Sequence, residues 1–307
     1  MSLVVFGSLA RDEWTSQSDL DWGLLIDSQA HPEHLKVAQT IAKLFKENEL
    51  GKDPGPNGVF GNMIFSHELV HQVGGENDTN SNTTRRLLLL LESTPIGTVD
   101  AYNRVVRAIL ERYFETDTNL LTPDQSRYRV PRFLLNDIVR FWRTMAVDFA
   151  SKQRERPSGG WALRNIKLRM SRKLIFVAGL LTCFSCYLKG LPILQNDPEK
   201  STGVLIEHLN GYVNKAPLQI LADALLVYDV RRETVLALFN SYDAFLECLD
   251  NDDQRGHLEK LSFENSNSDT VFQHMGEIGH QFQQGLDNIF FRDSEDLQQL
   301  IQKYGIF

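Results

Sequence analysis

Asp19 and Asp21 stand two residues apart, and eleven residues upstream of Asp19 the chain reads Gly7-Ser8. Those residue types at that spacing define a recognisable chemistry. In an extended segment side chains alternate faces at about 3.3 Å per residue, so Asp19 and Asp21 project from one face while Leu20 is directed into the core. Two carboxylates that converge repel each other unless one is protonated or a divalent cation bridges them. Magnesium, or manganese in its place, suits the second solution: it binds through one or two carboxylates and completes its octahedron with water and phosphate oxygens. Gly7 lets the backbone approach a ligand closely, and Ser8 offers a hydroxyl and an amide at the expected start of a helix, where anions are favoured. An isolated Asp-x-Asp reads more readily as a turn and strand edge. The Gly-Ser pair decides for a phosphate clamp facing a metal clamp, the arrangement that transfer of a nucleotidyl group from a nucleoside triphosphate requires.

The elements that must position these residues are legible nearby. Leu3-Val4-Val5-Phe6 and Leu20 to Ile26 are short, apolar, β-rich runs that predict two neighbouring strands. Leu35, Ala38, Ile41, Ala42, Leu44 and Phe45 recur at helical spacing, with Gly51 and Pro54-Gly55-Pro56 as terminators. Val59 to Phe65 is a third strand candidate. The polar stretch from Gly74 to Thr84 supplies turn and cap residues for a helix through Leu91. From Val99 the pattern is helical almost throughout, with breaks expected at Pro123, Pro131, Pro157, Pro192 and Pro217. The expected architecture is therefore a small mixed α/β domain over residues 1–95, followed by an all-α helical bundle over residues 96–307 whose C-terminal part is acidic.

The run Gly7-Ser-Leu-Ala-Arg-Asp-Glu-Trp-Thr-Ser-Gln-Ser-Asp-Leu-Asp21 resembles the signature of the nucleotidyltransferase superfamily of the DNA polymerase beta type: Gly-Ser, an intervening helix, then Asp-x-Asp on the next strand. Arg11, Glu13 and Ser18 look like the branch that holds the nucleotidyltransferase domains of PII uridylyltransferases and their uncharacterised bacterial relatives. The resemblance covers about the first 95 residues. It implies a metal-dependent transferase with Asp19 and Asp21 as metal ligands, and with Gly7, Ser8, Arg11 and Ser18 at the triphosphate. The superfamily usually carries a third carboxylate on a later strand, where it helps activate the acceptor hydroxyl. The matching strand here has Asn62 near that position and no acid, and an amide cannot take a proton at neutral pH. Glu76 and Asp78 are the substitutes at hand, although Asp78 serves equally well as a helix cap.

Charge is segregated along the chain. Residues 127 to 173 hold thirteen Lys or Arg against three Asp or Glu, within a protein of formal charge −8. Asn136, Arg140 and Arg143 repeat the spacing of Asn165, Arg169 and Arg172, which places three polar side chains on one face of each of two helices. Leu134, Ile138, Phe141 and Met145 form the apolar stripe of the first helix, and Leu163, Ile166, Met170 and Leu174 that of the second. Four arginines brought together would repel unless an anion lay between them, and a triphosphate fits; two solvated faces are the competing reading. Trp142 and Trp161 read as core more readily than as base-stacking platforms.

His67-Glu68-Leu69-Val70-His71 matches H-E-x-x-H, the zinc-hydrolase pattern, but offers no third ligand and leaves Gly-Ser and Asp-x-Asp unexplained. His274 and His280 read as surface residues. Cys183, Cys186 and Cys248 are too few for a disulfide framework and sit among apolar neighbours as core thiols. The acidic balance excludes a protein whose whole surface coats nucleic acid or an anionic membrane. Leu174 to Leu188, the most apolar stretch, is shorter than a bilayer span and lies between Lys173 and Lys189, so it predicts a buried helix, no membrane and a cytoplasmic protein. The expected function is transfer of a nucleoside monophosphate group to an acceptor among proteins, metabolites, RNA ends and nucleotides. The alternative is a nucleotide-binding sensor that does not turn over.

Overall fold

The computed structural model describes residues 1–52, 59–115, 119–155, 160–193, 198–228 and 230–305; Pro54, Gly55, Pro56 and Pro157 lie outside them. In chain order the elements are β1 (Ser2–Phe6), α1 (Gly7–Ala10), β2 (Trp22–Ile26), α2 (Pro32–Glu47), β3 (Asn62–Phe65), α3 (Ser66–Val70), α4 (Asn80–Leu91), β4 (Ser93–Ile96), α5 (Asp100–Phe114) and α6 (Arg132–Glu155). They continue with α7 (Trp161–Lys167), a π-helical turn (Leu168–Arg172), α8 (Lys173–Leu188), α9 (Pro198–Val213), α10 (Pro217–Val227), α11 (Arg232–Asp250), α12 (Asp252–Lys260), α13 (Thr270–Asn288) and α14 (Glu295–Tyr304). The protein is thus mostly helical, with one small mixed sheet.

Two compact units are present, Met1–Phe141 with Ser185–Pro217, and Trp142–Phe184 with Leu218–Phe307. Residue 95, the boundary expected from the change in pattern, lies inside the first unit.

In the first unit the sheet has the order β3-β2-β1-β4, with β1 antiparallel to both β2 and β4, and β2 parallel to β3. Val5, Leu20, Trp22, Leu24 and Ile26 form one buried face, covered by Ala38, Val37, Ile41 and Phe45 of α2. The Trp22 and Phe45 rings meet edge to face at 5.7 Å. Val4 and Leu25, which alternate onto the other face, are fully buried, and α5 packs against β1 and β2. Helix α2 starts sharply because Pro32 fixes its first turn and His31 Nδ1 accepts a hydrogen bond from the Glu33 amide at 3.2 Å. Strand β4 has no counterpart among the sequence expectations. It is an edge strand of four residues, Ser-Thr-Pro-Ile, and Pro95 is tolerated there because an edge leaves one row of backbone groups without ladder partners.

In the second unit α11 packs along α13. Tyr242 contacts Phe245 and Phe282 with ring centroids 5.4 and 5.7 Å apart, and Gly285 admits Leu238, whose Cγ lies 2.5 Å from where a Cβ would stand. Trp161 is buried against Phe263 and Phe272, a core placement. The apolar helical stretch is longer than expected: Trp161–Leu188 has 28 residues and a most apolar window of mean hydropathy 1.3, of which 72% is buried within the protein. The expected stripes are buried except for Met145, which is half-buried.

Candidate functional site

The register of the sheet sets the site. Phe6 is the last residue of β1, its amide donates to the Asp21 carbonyl at 2.9 Å, and on the other side it pairs with Ser93 of β4. One residue on, the chain must turn out of the strand, and it does so at Gly7 with φ +67°. That left-handed conformation strains any residue with a side chain. The same glycine also makes room: Asp21 Oδ2 lies 3.0 Å from the point where a Cβ on Gly7 would sit. The Asp21 carboxylate therefore occupies a cradle that exists because residue 7 has no side chain.

Asp19 and Asp21 precede β2 instead of lying within it, in an extended segment held on both sides. Asp19 forms an isolated parallel bridge with Lys52, and the Leu20 amide donates to the Lys52 carbonyl at 2.9 Å. Leu20 is buried in the core, Asp19 is exposed and Asp21 is half-buried, as alternation at the end of a strand dictates. Gly51, with φ +85°, admits the Trp14 ring and fixes the far side of this segment. Helix α1 is a single turn, so it carries little of a helix macrodipole; it contributes the backbone turn at Gly7 and Ser8.

The other residues expected at a triphosphate are placed differently. Ser18 is buried, and its hydroxyl accepts a hydrogen bond from the Thr15 amide at 3.1 Å, closing a turn. Arg11 donates from Nε to Glu13 Oε2 at 2.7 Å and from Nη1 to Glu92 Oε2. Arg140 donates from Nη2 to the Asp78 carbonyl at 2.8 Å. Asn136 and Arg143 are exposed on α6. Asn165 belongs to α7, whereas Arg169 and Arg172 belong to the π-helical turn, whose wider winding breaks the spacing that would have placed all three on one face. Arg169 is exposed, with its stem against Gly279 of α13; Arg172 is half-buried. The buried Asn165 Oδ1 has no hydrogen-bond partner among the described residues.

Asp78 is not free to act as a base. Arg86, fully buried, grips it at two points, Nη1 to Oδ1 at 3.1 Å and Nη2 to Oδ2 at 2.9 Å, and also donates to Asp137 Oδ2 at 2.8 Å. Tyr113 Oη accepts from Arg86 Nε at 2.9 Å and donates to Asp137 Oδ2 at 2.7 Å. Burial acts to lower the Arg86 pKa, and its interactions with Tyr113, Asp78 and Asp137 outweigh that, so the guanidinium is held charged. Burial raises the Tyr113 pKa well above its ordinary value and keeps the phenol neutral. Asn62 is exposed on β3, where its Oδ1 accepts from the Met63 amide at 2.8 Å, and Glu76 is exposed. Glu92, absent from the sequence expectations, directly precedes Ser93 of β4 and accepts from Arg11.

His67 and His71 lie on and just after α3 with ring centroids 5.0 Å apart, but Glu68 points to Arg85, with 3.9 Å between Oε2 and Nη1. Among the described residues no group of three or more His, Cys, Asp and Glu is placed to hold a metal ion. All three cysteines are buried, and burial pushes the Cys186 thiol up to about 12. Asp19 and Asp21 offer two carboxylates two residues apart. Such a set, with one oxygen seated beside a backbone glycine, fits a hard divalent cation whose remaining positions are filled by phosphate oxygens and water.

No family model matches the chain, and no curated protein matches it in sequence.

Proposed function

We propose that this protein is a metal-dependent nucleotidyltransferase: an α/β domain formed by about the first 95 residues, followed by a helical domain. It would move a nucleoside monophosphate group from a nucleoside triphosphate to an acceptor hydroxyl. The observation that carries the reading is the Asp21 carboxylate seated at the left-handed Gly7, 3.0 Å from the missing Cβ, with Asp19 exposed two residues before it. Asp19 and Asp21 would hold magnesium or manganese, which would supply Lewis acidity to the phosphoryl chemistry. Gly7 keeps the backbone low enough for phosphate oxygens to reach the same edge, and Ser8 adds a hydroxyl there. Asp19 is exposed to receive the ligand, while the half-buried Asp21 is oriented by the strand pairing behind it.

The test is incubation with each α-labelled nucleoside triphosphate, magnesium or manganese, and a host lysate as the acceptor source. Label transfer with pyrophosphate release is expected, and Asp21→Asn should abolish it in a folded protein. Transfer that survives Asp21→Asn removes the assignment.

A second reading, a nucleotide sensor that binds without turnover, is favoured by one observation: β3 carries no acid, and Asp78 is committed to Arg86. Metal-dependent triphosphate binding without pyrophosphate release would select it.

A further inference from the structure

Toward β2 the neighbour of Gly7 is the Asp21 carboxylate. Toward β4 the register pairs Phe6, the residue before Gly7, with Ser93, the residue after Glu92. Arg11, the residue that caps α1, closes this arrangement by donating to Glu92 Oε2 from Nη1 and to Glu13 Oε2 from Nε. All three side chains are nearly buried, with 10% of Arg11, 6% of Glu13 and 7% of Glu92 exposed. The Arg11 amide donates to the Gly7 carbonyl at 3.1 Å, and the Glu13 amide to the Ser8 carbonyl at 2.8 Å, so the paired residues are tied by backbone to the Gly-Ser turn itself.

From this geometry we infer that Arg11 is a positioning residue and not a triphosphate ligand: acting through Glu92 and Glu13, it holds the Gly7 turn against β4 and so fixes the cradle that receives the Asp21 carboxylate. This rests on the reading of Asp19 and Asp21 as metal ligands. Arg11 meets both acids where little solvent reaches them, so moving the guanidinium to a phosphate would give up two charge-assisted hydrogen bonds. A planar fork with donors on separate nitrogens can meet both acids at once, which an ammonium on a flexible stem does less well. Residues that orient the ligands of a metal typically change its affinity by about 10- to 100-fold when removed.

The experiment is a titration of the full-length protein with manganese alone, without nucleotide, followed by electron paramagnetic resonance. Wild type, Asp21→Asn, Arg11→Gln, Arg11→Lys, Glu92→Gln and the Arg11→Gln/Glu92→Gln double variant are compared, with circular dichroism confirming the fold of each. Asp21→Asn is expected to abolish the site. Arg11→Gln and Glu92→Gln should each weaken manganese binding by about 10-fold, and the double variant should lose no more than either single change. Arg11→Lys preserves the charge and keeps the test open if a neutral variant fails to fold; it should weaken manganese binding measurably. Unchanged manganese affinity in folded Arg11→Gln or Arg11→Lys would overturn the inference while leaving the Asp19–Asp21 site standing. Wild-type manganese binding that is insensitive to Asp21→Asn removes the site, and the inference falls with it.

Discussion

Asp78 and Asp137 meet a guanidinium inside the first unit, whereas Asp19 is exposed and Asp21 rests in the space a glycine leaves at the end of a strand. Each pair offers two carboxylates, but the surroundings differ. Around Arg86 the donors, acceptors and charges answer one another: two acids, a phenol and a guanidinium form a closed set, with Arg140 adding a hydrogen bond to the Asp78 carbonyl from a partly exposed position. At the Gly7 edge a half-buried acid sits beside a glycine and a second acid is exposed. The contrast separates a buried, ion-paired cluster from the more exposed acids proposed to meet a ligand, since residue type alone distinguishes neither.

The sharpest way to break the comparison is at Arg86. Replacing it with Met removes the only cation bonded to both Asp78 and Asp137 among the described residues. Asp137 then has no cation bonded to it among the described residues, and Asp78 keeps the longer contact to Arg140, 3.4 Å from Nη1 to Oδ2, so the change should cost about 3–5 kcal/mol in a urea unfolding titration. If Arg86→Met unfolds at wild-type urea concentration, the cluster is not the structural element argued for. Arg140→Ala is the milder probe of the same cluster. With 36% of its side chain exposed, Arg140 is screened by solvent, so a loss of about 0.5–1 kcal/mol is expected. A loss as large as that of Arg86→Met would show that Arg140 is equally essential to the buried acids.

What the residues announce in advance follows from how local each signal is. The strands on either side of the Gly-Ser turn, the burial of Leu20 between two aspartates and the buried stripes of α6 and α7 rest on neighbours in sequence, where alternation and helical spacing operate directly. Strand β4 escaped because four residues containing a proline have neither the length nor the pattern of a strand; only pairing to β1 makes them one. Glu92 escaped for the same reason, being 81 residues from the Arg11 it binds. Arg86 falls in the helix expected through Leu91, but its acids come from 8 residues before it and 51 after it. In the basic segment the repeated spacing was real, but it assumed uniform α-helical winding, and the π-helical turn from Leu168 to Arg172 breaks that assumption.

His208 offers a third way to hold a titratable group, and a smaller effect. Burial, then the nearby Lys189 and Lys215, lower its pKa to about 4, and its Nε2 lies 2.8 Å from Ser185 Oγ. A histidine whose folded pKa is depressed from 6.5 to about 4 binds fewer protons than the unfolded chain in the interval between them. Stability therefore falls as pH drops through that interval and is indifferent to this group above it. His208→Gln, which keeps a hydrogen-bonding side chain but no titration, should flatten the urea midpoint between pH 6.5 and pH 4. An unchanged pH dependence in His208→Gln would mean that other groups set it.

The smallest stability effect is expected where the functional effect is greatest. Asp19→Asn and Asp21→Asn each remove one of two like charges at the Gly7 edge without opening a cavity, since the amide matches the carboxylate in shape. Each should shift the urea midpoint by no more than about 0.5 kcal/mol in stability, the usual range for partly exposed positions away from buried networks. Relief of repulsion between the two acids pushes the change toward stabilisation, and most clearly at low ionic strength, where exposed charges are screened least. Adding magnesium should raise the midpoint of the wild type, because an ion that binds only the folded form stabilises it by mass action. It should leave both variants where they were. A large destabilisation in Asp21→Asn would instead place that carboxylate in the same class as Asp78, an acid whose partners hold the fold together.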